Sequence, residues 1–205
     1  MSRRAFYWLL IVLLTAAGYW FFTRRHFMAD RPTRGGTIVA FGDSLTEGVG
    51  ATSGHDYVSV LARRIGMPII NAGRSGDTTA TALGRLESDV LDKNPKIVIL
   101  FLGGNDAIRS RPVAETFANL KDMIEMIHRH GSAVMLIGIH VGLSASTYDT
   151  NFADLAEREK TSFVPNILGG ILGHDNLMSD GIHPDDQGYR IVADRIEPIL
   201  MEMLK

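Results

Sequence analysis

The chain has 205 residues, with 21 Lys and Arg against 23 Asp and Glu and a hydrophobic share of 45%. That make-up suits one globular domain with a sizeable core and excludes a disordered or collagen-like chain. The absence of cysteine removes disulfides, thiolate zinc sites and a cysteine nucleophile, and leaves the redox compartment open.

The charges are unevenly divided. Residues 1–35 carry six arginines against one aspartate, and the rest of the chain carries fifteen bases against twenty-two acids. A net-acidic body argues against nucleic acid as a partner, because such binding rests on clustered Lys and Arg neutralising phosphates. Ala5–Phe22 is 18 residues without a charge, enough for roughly 27 Å of helix, close to the thickness of bilayer hydrocarbon. Tyr7 and Trp8 at one end and Tyr19–Phe22 at the other resemble an aromatic belt. The expectation is therefore a single uncleaved transmembrane anchor. A cleaved signal peptide is the alternative, with Thr15-Ala16-Ala17 as a weak cleavage site, but the apolar run continues beyond it. Arginines flank both ends, so the positive-inside rule does not choose an orientation; the body is expected on the extracytoplasmic, periplasmic side. The boundary falls after the Pro- and Gly-containing Asp30–Gly36 stretch, with residues 1–35 as anchor and linker and 36–205 as one domain.

In chain order the body alternates apolar runs with amphipathic ones. Strands are expected at Thr37–Phe41, Pro68–Asn71, Lys96–Leu102, Ala133–Ile139 and Ser162–Val164. Helices are expected at His55–Ile65, Asp77–Asp92, Pro112–His130, Asp149–Lys160 and Pro184–Leu204, with Pro112 near a helix start and Gly131 placed to end it. Continuous apolar strands separated by helices indicate a parallel sheet covered on both faces. The fold class is a three-layer α/β sandwich around a five-stranded parallel sheet, flavodoxin-like in architecture, preceded by one membrane helix. Ligands of such folds sit at the carboxyl ends of the strands.

Three short motifs follow strands and a fourth precedes the last helix: Gly42-Asp43-Ser44-Leu45, Asn71-Ala72-Gly73-Arg74, Gly103-Gly104-Asn105-Asp106 and Asp180-Gly181-Ile182-His183-Pro184. A serine hydroxyl needs a base to take its proton, and histidine suits that task near neutral pH. The histidine in turn needs a carboxylate to hold its tautomer and stabilise the imidazolium. Ser44, His183 and Asp180 fit these roles, the last two within one tight turn. Backbone N–H groups at Ser44 and Gly73 and the Asn105 amide could converge on a developing oxyanion, and a glycine at 73 would let substrate approach the backbone. His140, after the fourth strand, is a further candidate for the substrate pocket, with the small and apolar residues of His140–Tyr148 as its wall.

Each motif alone reads equally well as a turn; their order and spacing together do not. FGDSLTEG at Phe41–Gly48, NAGRSGDTT at Asn71–Thr79, LGGNDAIR at Leu102–Arg109 and DGIHPDDQGY at Asp180–Tyr189 resemble the four blocks of the SGNH (GDSL) hydrolases. They look most like the bacterial thioesterase, lysophospholipase and arylesterase branch. The resemblance covers Thr37 to the C-terminus. It implies Ser44, Asp180 and His183 as catalytic triad and Ser44, Gly73 and Asn105 as oxyanion donors.

Other chemistries fit poorly. No Gly-Lys-Ser/Thr follows Gly42, so a P-loop is absent; GDSLTEGVG supplies no dinucleotide fingerprint; and the Gly-x-Ser-x-Gly elbow is missing around Ser44. His128 and His130 lie two apart on a helix and read as surface residues rather than a metal pair. The expected activity is hydrolysis of acyl esters or thioesters, aryl or lysophospholipid esters included, through an acyl-Ser44 intermediate, with no cofactor and no metal. The alternatives are a carbohydrate O-deacetylase of the cell envelope and a catalytically silent, anchored binding module.

Overall fold

The computed structural model describes residues 30–140 and 145–205. Five strands, β1 (Thr37–Gly42), β2 (Ile69–Gly73), β3 (Pro95–Phe101), β4 (Ala133–Ile137) and β5 (Ser162–Val164), form one parallel sheet in the order β2-β1-β3-β4-β5. Ile38–Phe41, Ile97–Phe101 and Ala133–Ile137 are almost wholly buried, as strands covered on both faces must be. Each fully buried large apolar side chain contributes about 1.5–3 kcal/mol over its exposed state. The three central strands thus anchor the fold.

The longer helices lie where the periodicity places them. Helix α2 (Tyr57–Ile65) is capped by Asp56, whose carboxylate accepts the Ser59 N–H at 2.9 Å. Helix α6 (Val113–His130) ends at Gly131 with φ +91°, the left-handed conformation that stops helices. Helix α7 (Ala145–Glu159) begins four residues before the expected Asp149. Helix α8 (Asp186–Met203) begins after Asp185, whose side chain accepts from Gln187 N and Gly188 N. Pro184, expected to open that helix, instead pairs with Met178 in an antiparallel bridge. Two short helices, α1 (Ser44–Glu47) and α5 (Gly104–Ile108), follow β1 and β3. Helix α2 packs against α8, and α6 packs against α7.

The expected helix Asp77–Asp92 is broken into α3 (Thr79–Leu83), α4 (Leu86–Asp89) and a 3-10 turn at Leu91–Lys93. The cause is Arg85. Its guanidinium turns inward to Asp77 (Nε to Oδ2, 2.6 Å), to the carbonyls of Ala72 (2.9 Å) and Gly42 (3.0 Å), and to Asp89 (3.0 Å), and it stacks 4.3 Å from the Phe41 ring centroid. A buried cation satisfied at so many points outweighs the local preference for an unbroken helix. It also ties together the carboxyl ends of β1 and β2.

Strand order reverses at β1: the chain moves outward to β2, then crosses over to β3 on the other side. The crevice between the carboxyl ends of β1 and β3 is the topological switch point where open α/β sheets bind ligands. Among the described residues no helix is long and apolar enough to cross a membrane; the expected span Ala5–Phe22 lies outside the described residues.

Candidate active site

Ser44 is the first residue of α1, directly after β1. Asp43 caps that helix: its Oδ1 accepts the Leu45 N–H at 3.0 Å, and its carbonyl accepts from Thr46 and Glu47. The cap sets the serine at the open end of a sheet whose first-turn amides have no helical partner. The Ser44 Oγ stands 3.0 Å from His183 Nε2, and His183 Nδ1 stands 2.8 Å from Asp180 Oδ2. The other oxygen of Asp180 accepts from the backbone N–H groups of Ile182 and His183, each at 2.8 Å. The His183 bond and these two amides hold the Asp180 carboxyl down to about 2, so it is ionised at any pH at which histidine can act as a base.

The loop that carries Asp180 and His183 is braced from several sides. Ser179 N donates to His183 O at 2.9 Å, and Tyr189 donates its hydroxyl to Val49 O at 2.7 Å. Thr52 donates its N–H and hydroxyl to the two oxygens of Asp186, both at 2.7 Å. Gly50, at φ +95°, lies so close that a Cβ there would be 2.5 Å from Pro184 O and 3.1 Å from His183 Cβ. This glycine is required both by its backbone angle and by the loop it supports. Rigid support of this kind is what holds a nucleophile and base in reacting geometry.

Asn105 lies at the start of α5 and donates from Nδ2 to Asp77 O at 3.0 Å and to Asp43 Oδ2 at 3.3 Å. Both partners are acceptors, which assigns the amide nitrogen to their side. Gly73 pairs in register with Gly42 across β1 and β2, and its N–H donates to Asn71 Oδ1 at 2.9 Å. The reason for glycine at 73 differs from the expected one. A Cβ at this position would come within 2.1 Å of Glu47 N and 2.6 Å of Thr46 C. The missing side chain makes room for helix α1, not for substrate. The Asn71 amide also donates to Thr46 O at 2.7 Å, and Glu47 accepts the Ser75 N–H at 2.6 Å, so the second motif is bound to helix α1 along its length.

His140 is exposed and paired with Asp149 of α7, Nδ1 to Oδ2 2.5 Å; no hydrogen bond joins it to Ser44, Asp180 or His183. Residues 141–144 of the expected pocket wall lie outside the described residues. Among the described residues no group of three His, Asp or Glu stands close enough together to hold a metal ion.

Sequence reasoning missed four buried or bridging polar residues that build the crevice: Asp43, Asp77, Arg85 and Asp106. Asp106 accepts the Thr79 N–H (2.9 Å) and hydroxyl (2.7 Å) and so joins α3 to α5. The available signal was an acid beside Ser44 and beside Asn105, another four residues after Gly73, and an arginine within a helical stretch. Asp43 carries the largest electrostatic consequence. Burial pushes its carboxyl up to about 6, against the opposing pull of the Leu45 N–H, His183 and Asn105. An acid whose folded value is raised favours folding while protonated. Its penalty grows as pH rises from about 4 to about 6, reaching about 3 kcal/mol at roughly 1.4 kcal/mol per unit. In Asp43→Asn that penalty is absent. The thermal midpoint of the native protein should therefore fall relative to Asp43→Asn by roughly 6–12 °C between pH 4 and pH 6.5, read by scanning calorimetry. A gap that stays constant across this window would mean that Asp43 does not titrate there.

Residues 40–191 match the model of the GDSL-like Lipase/Acylhydrolase family. The chain is 30% identical over 179 residues to the esterase TesA of Pseudomonas aeruginosa, covering 82% of this chain and 89% of that protein. It is 28% identical over 178 residues to an arylesterase of Vibrio mimicus, with the same coverage on both sides. Among solved structures, a crystal structure of TesA superposes with a TM-score of 0.78 at 29% identity, covering 82% of this chain and 99% of that one.

Proposed function

Because the chain belongs to the GDSL-like lipase/acylhydrolase family, and is thereby an ester hydrolase of the serine esterase and thioesterase type, we propose that Ser44, His183 and Asp180 carry its chemistry. The observation that supports this most directly is the continuous hydrogen-bond chain from Ser44 Oγ through His183 to Asp180. In this reading Ser44 Oγ attacks the acyl carbonyl while His183 Nε2 takes its proton. Asp180 stabilises the imidazolium through Nδ1. The oxyanion is received by the Ser44 and Gly73 N–H groups and by the Asn105 amide, Gly73 exchanging its bond to Asn71 Oδ1 and Asn105 its longer bond to Asp43 for one to the substrate oxygen. His183 then protonates the departing alcohol or thiol, leaving acyl-Ser44. Water, deprotonated by the same histidine, releases the acid.

The substrate is a small-molecule ester. The reading is tested by turnover of purified protein on a panel of acyl esters, acyl thioesters and acetylated sugars, with labelling by a fluorophosphonate. Expected are one label per chain, mapped to Ser44 by peptide mass, and higher kcat/KM on acyl esters or thioesters than on acetylated sugars. Label on another residue would displace Ser44, and a preference for acetylated sugars would favour the deacetylase reading. His140 enters this proposal only as a rim residue held by Asp149.

The uncharged Ala5–Phe22 run supports a second part of the reading, a single-pass membrane anchor with the hydrolase domain on the extracytoplasmic side. Full-length protein is then expected to stay in the membrane pellet after an alkaline carbonate wash. Recovery from the soluble fraction with Met1–Ala17 removed would identify a signal peptide instead.

A further inference from the structure

The stretch that precedes β1 is seated on the body of the domain. Asp30 donates its N–H to Ser162 Oγ at 3.0 Å, while its Oδ2 accepts the Val134 N–H and pairs with His128 Nε2, each at 2.7 Å. Thr33 N and Arg34 N both donate to Gly131 O, at 2.9 and 3.1 Å, and Gly36 N donates to Asn94 O at 3.0 Å. Gly35, at φ +87°, leaves no room for a Cβ, which would meet Pro95 O at 2.1 Å. The backbone and hydroxyl partners lie where strands begin, Asn94 before β3, Gly131 and Val134 at β4 and Ser162 at β5, and His128 lies in the last turn of α6, which leads into β4. His128, expected as a plain surface residue, is part of this seat.

Ser44, Gly73 and Asn105 all lie where strands end. In a parallel sheet, strand beginnings and strand ends occupy opposite poles. The six residues of β1 alone separate strap from nucleophile by about 20 Å at 3.3 Å per residue. From Phe22, the last residue of the uncharged run, to Asp30 there are only residues 23–29. Fully extended they reach at most about 25 Å, short of the path around a domain on the order of 40 Å across.

We propose that this enzyme is held by the pole opposite its active site, so that it hydrolyses a water-soluble ester or thioester arriving from the aqueous side and not the lipids of the bilayer that carries it. The proposal rests on the anchor reading above. A reactive group on the same membrane lies beyond the tether's span, and its effective concentration at Ser44 is close to zero.

The test uses the full-length chain in phospholipid vesicles. Because the sequence has no cysteine, single donor dyes can be placed by Arg129→Cys, at the strap pole, and by Ile108→Cys, at the active-site pole; both residues are exposed, at 68% and 58%. Energy transfer to acceptor lipids should be strong from position 129 and weak from 108. In parallel, one chromogenic ester is offered free in water and coupled through a short spacer to a lipid of the same vesicle. The vesicle-bound protein should favour the free ester. Insertion of about 30 Gly/Ser residues between Ala29 and Asp30, which raises the tether's fully extended reach to about 130 Å, should raise the relative rate on the lipid-held ester about tenfold or more. Equal or reversed energy transfer, or no gain from the insertion, overturns the orientation while leaving the anchor standing. A protein that does not float with the vesicles overturns the anchor and the orientation together, and leaves the ester hydrolase assignment untouched.

Discussion

Replacing Ser44 with alanine is expected to lower kcat by about five to six orders of magnitude and to abolish fluorophosphonate labelling, with the fold intact. Among the described residues the Oγ is hydrogen-bonded to His183 Nε2 at 3.0 Å, and its backbone is held by the Asp43 cap and by α1 rather than by the hydroxyl. His183→Ala should cost about as much, and the double variant no more than either alone, because nucleophile and base act as one unit. Asp180→Asn should cost less, about four orders of magnitude, since the side chain persists but no longer holds the imidazole in the working tautomer. The measurement is kcat on the best panel ester, together with the thermal midpoint. If the losses from Ser44→Ala and His183→Ala multiply in the double variant, the two residues do not share a step and the proton-transfer assignment fails.

Asn105→Ala is expected to reduce kcat on the order of a hundredfold to a thousandfold with KM within a few-fold, the signature of a donor that strengthens only in the transition state. Its resting contacts add a second effect. The amide joins Asp77 O to Asp43 Oδ2, and alanine would leave that carbonyl without its amide donor and deprive the buried Asp43 of one of the bonds that favour its ionised form. Stability should therefore fall by about 1–2 kcal/mol, and more at pH 7 than at pH 4, where Asp43 is protonated and needs the amide less. Early unfolding with near-normal turnover per folded molecule would reduce Asn105 to a brace.

Asp43 deserves comparison with Asp180, since two carboxyls flank one serine and are treated oppositely by the fold. Asp180 is exposed and receives three hydrogen bonds, which lower its value to about 2; Asp43 is buried, and loss of water raises it to about 6. The separation follows from burial and bonding rather than from residue type. In the proposed mechanism it leaves Asp180 available to stabilise the imidazolium at all working pH values, while Asp43 caps α1 and accepts from Asn105.

The parts of the candidate site were legible in the chain because the proposed chemistry demands particular residue types at particular places. A serine after β1, an asparagine after β3 and an Asp-x-x-His before the last helix are local patterns, and the strands that carry them are apolar runs that can only be buried on both faces. The fold class followed from the same runs. What the sequence could not decide is each feature whose partner is far along the chain. Arg85, at the break in a stretch whose apolar spacing suits one helix, is drawn inward by partners that include a carbonyl 43 residues away at Gly42. Asp30 and His128, 98 residues apart, turn an apparent linker into a seated strap. Gly73 is glycine because α1 crosses it, which no local pattern records. Periodicity and motif reveal what a segment needs of water and of its own backbone; which distant group meets a buried charge, or which helix lies against an α-carbon, is settled only when the chain has closed on itself.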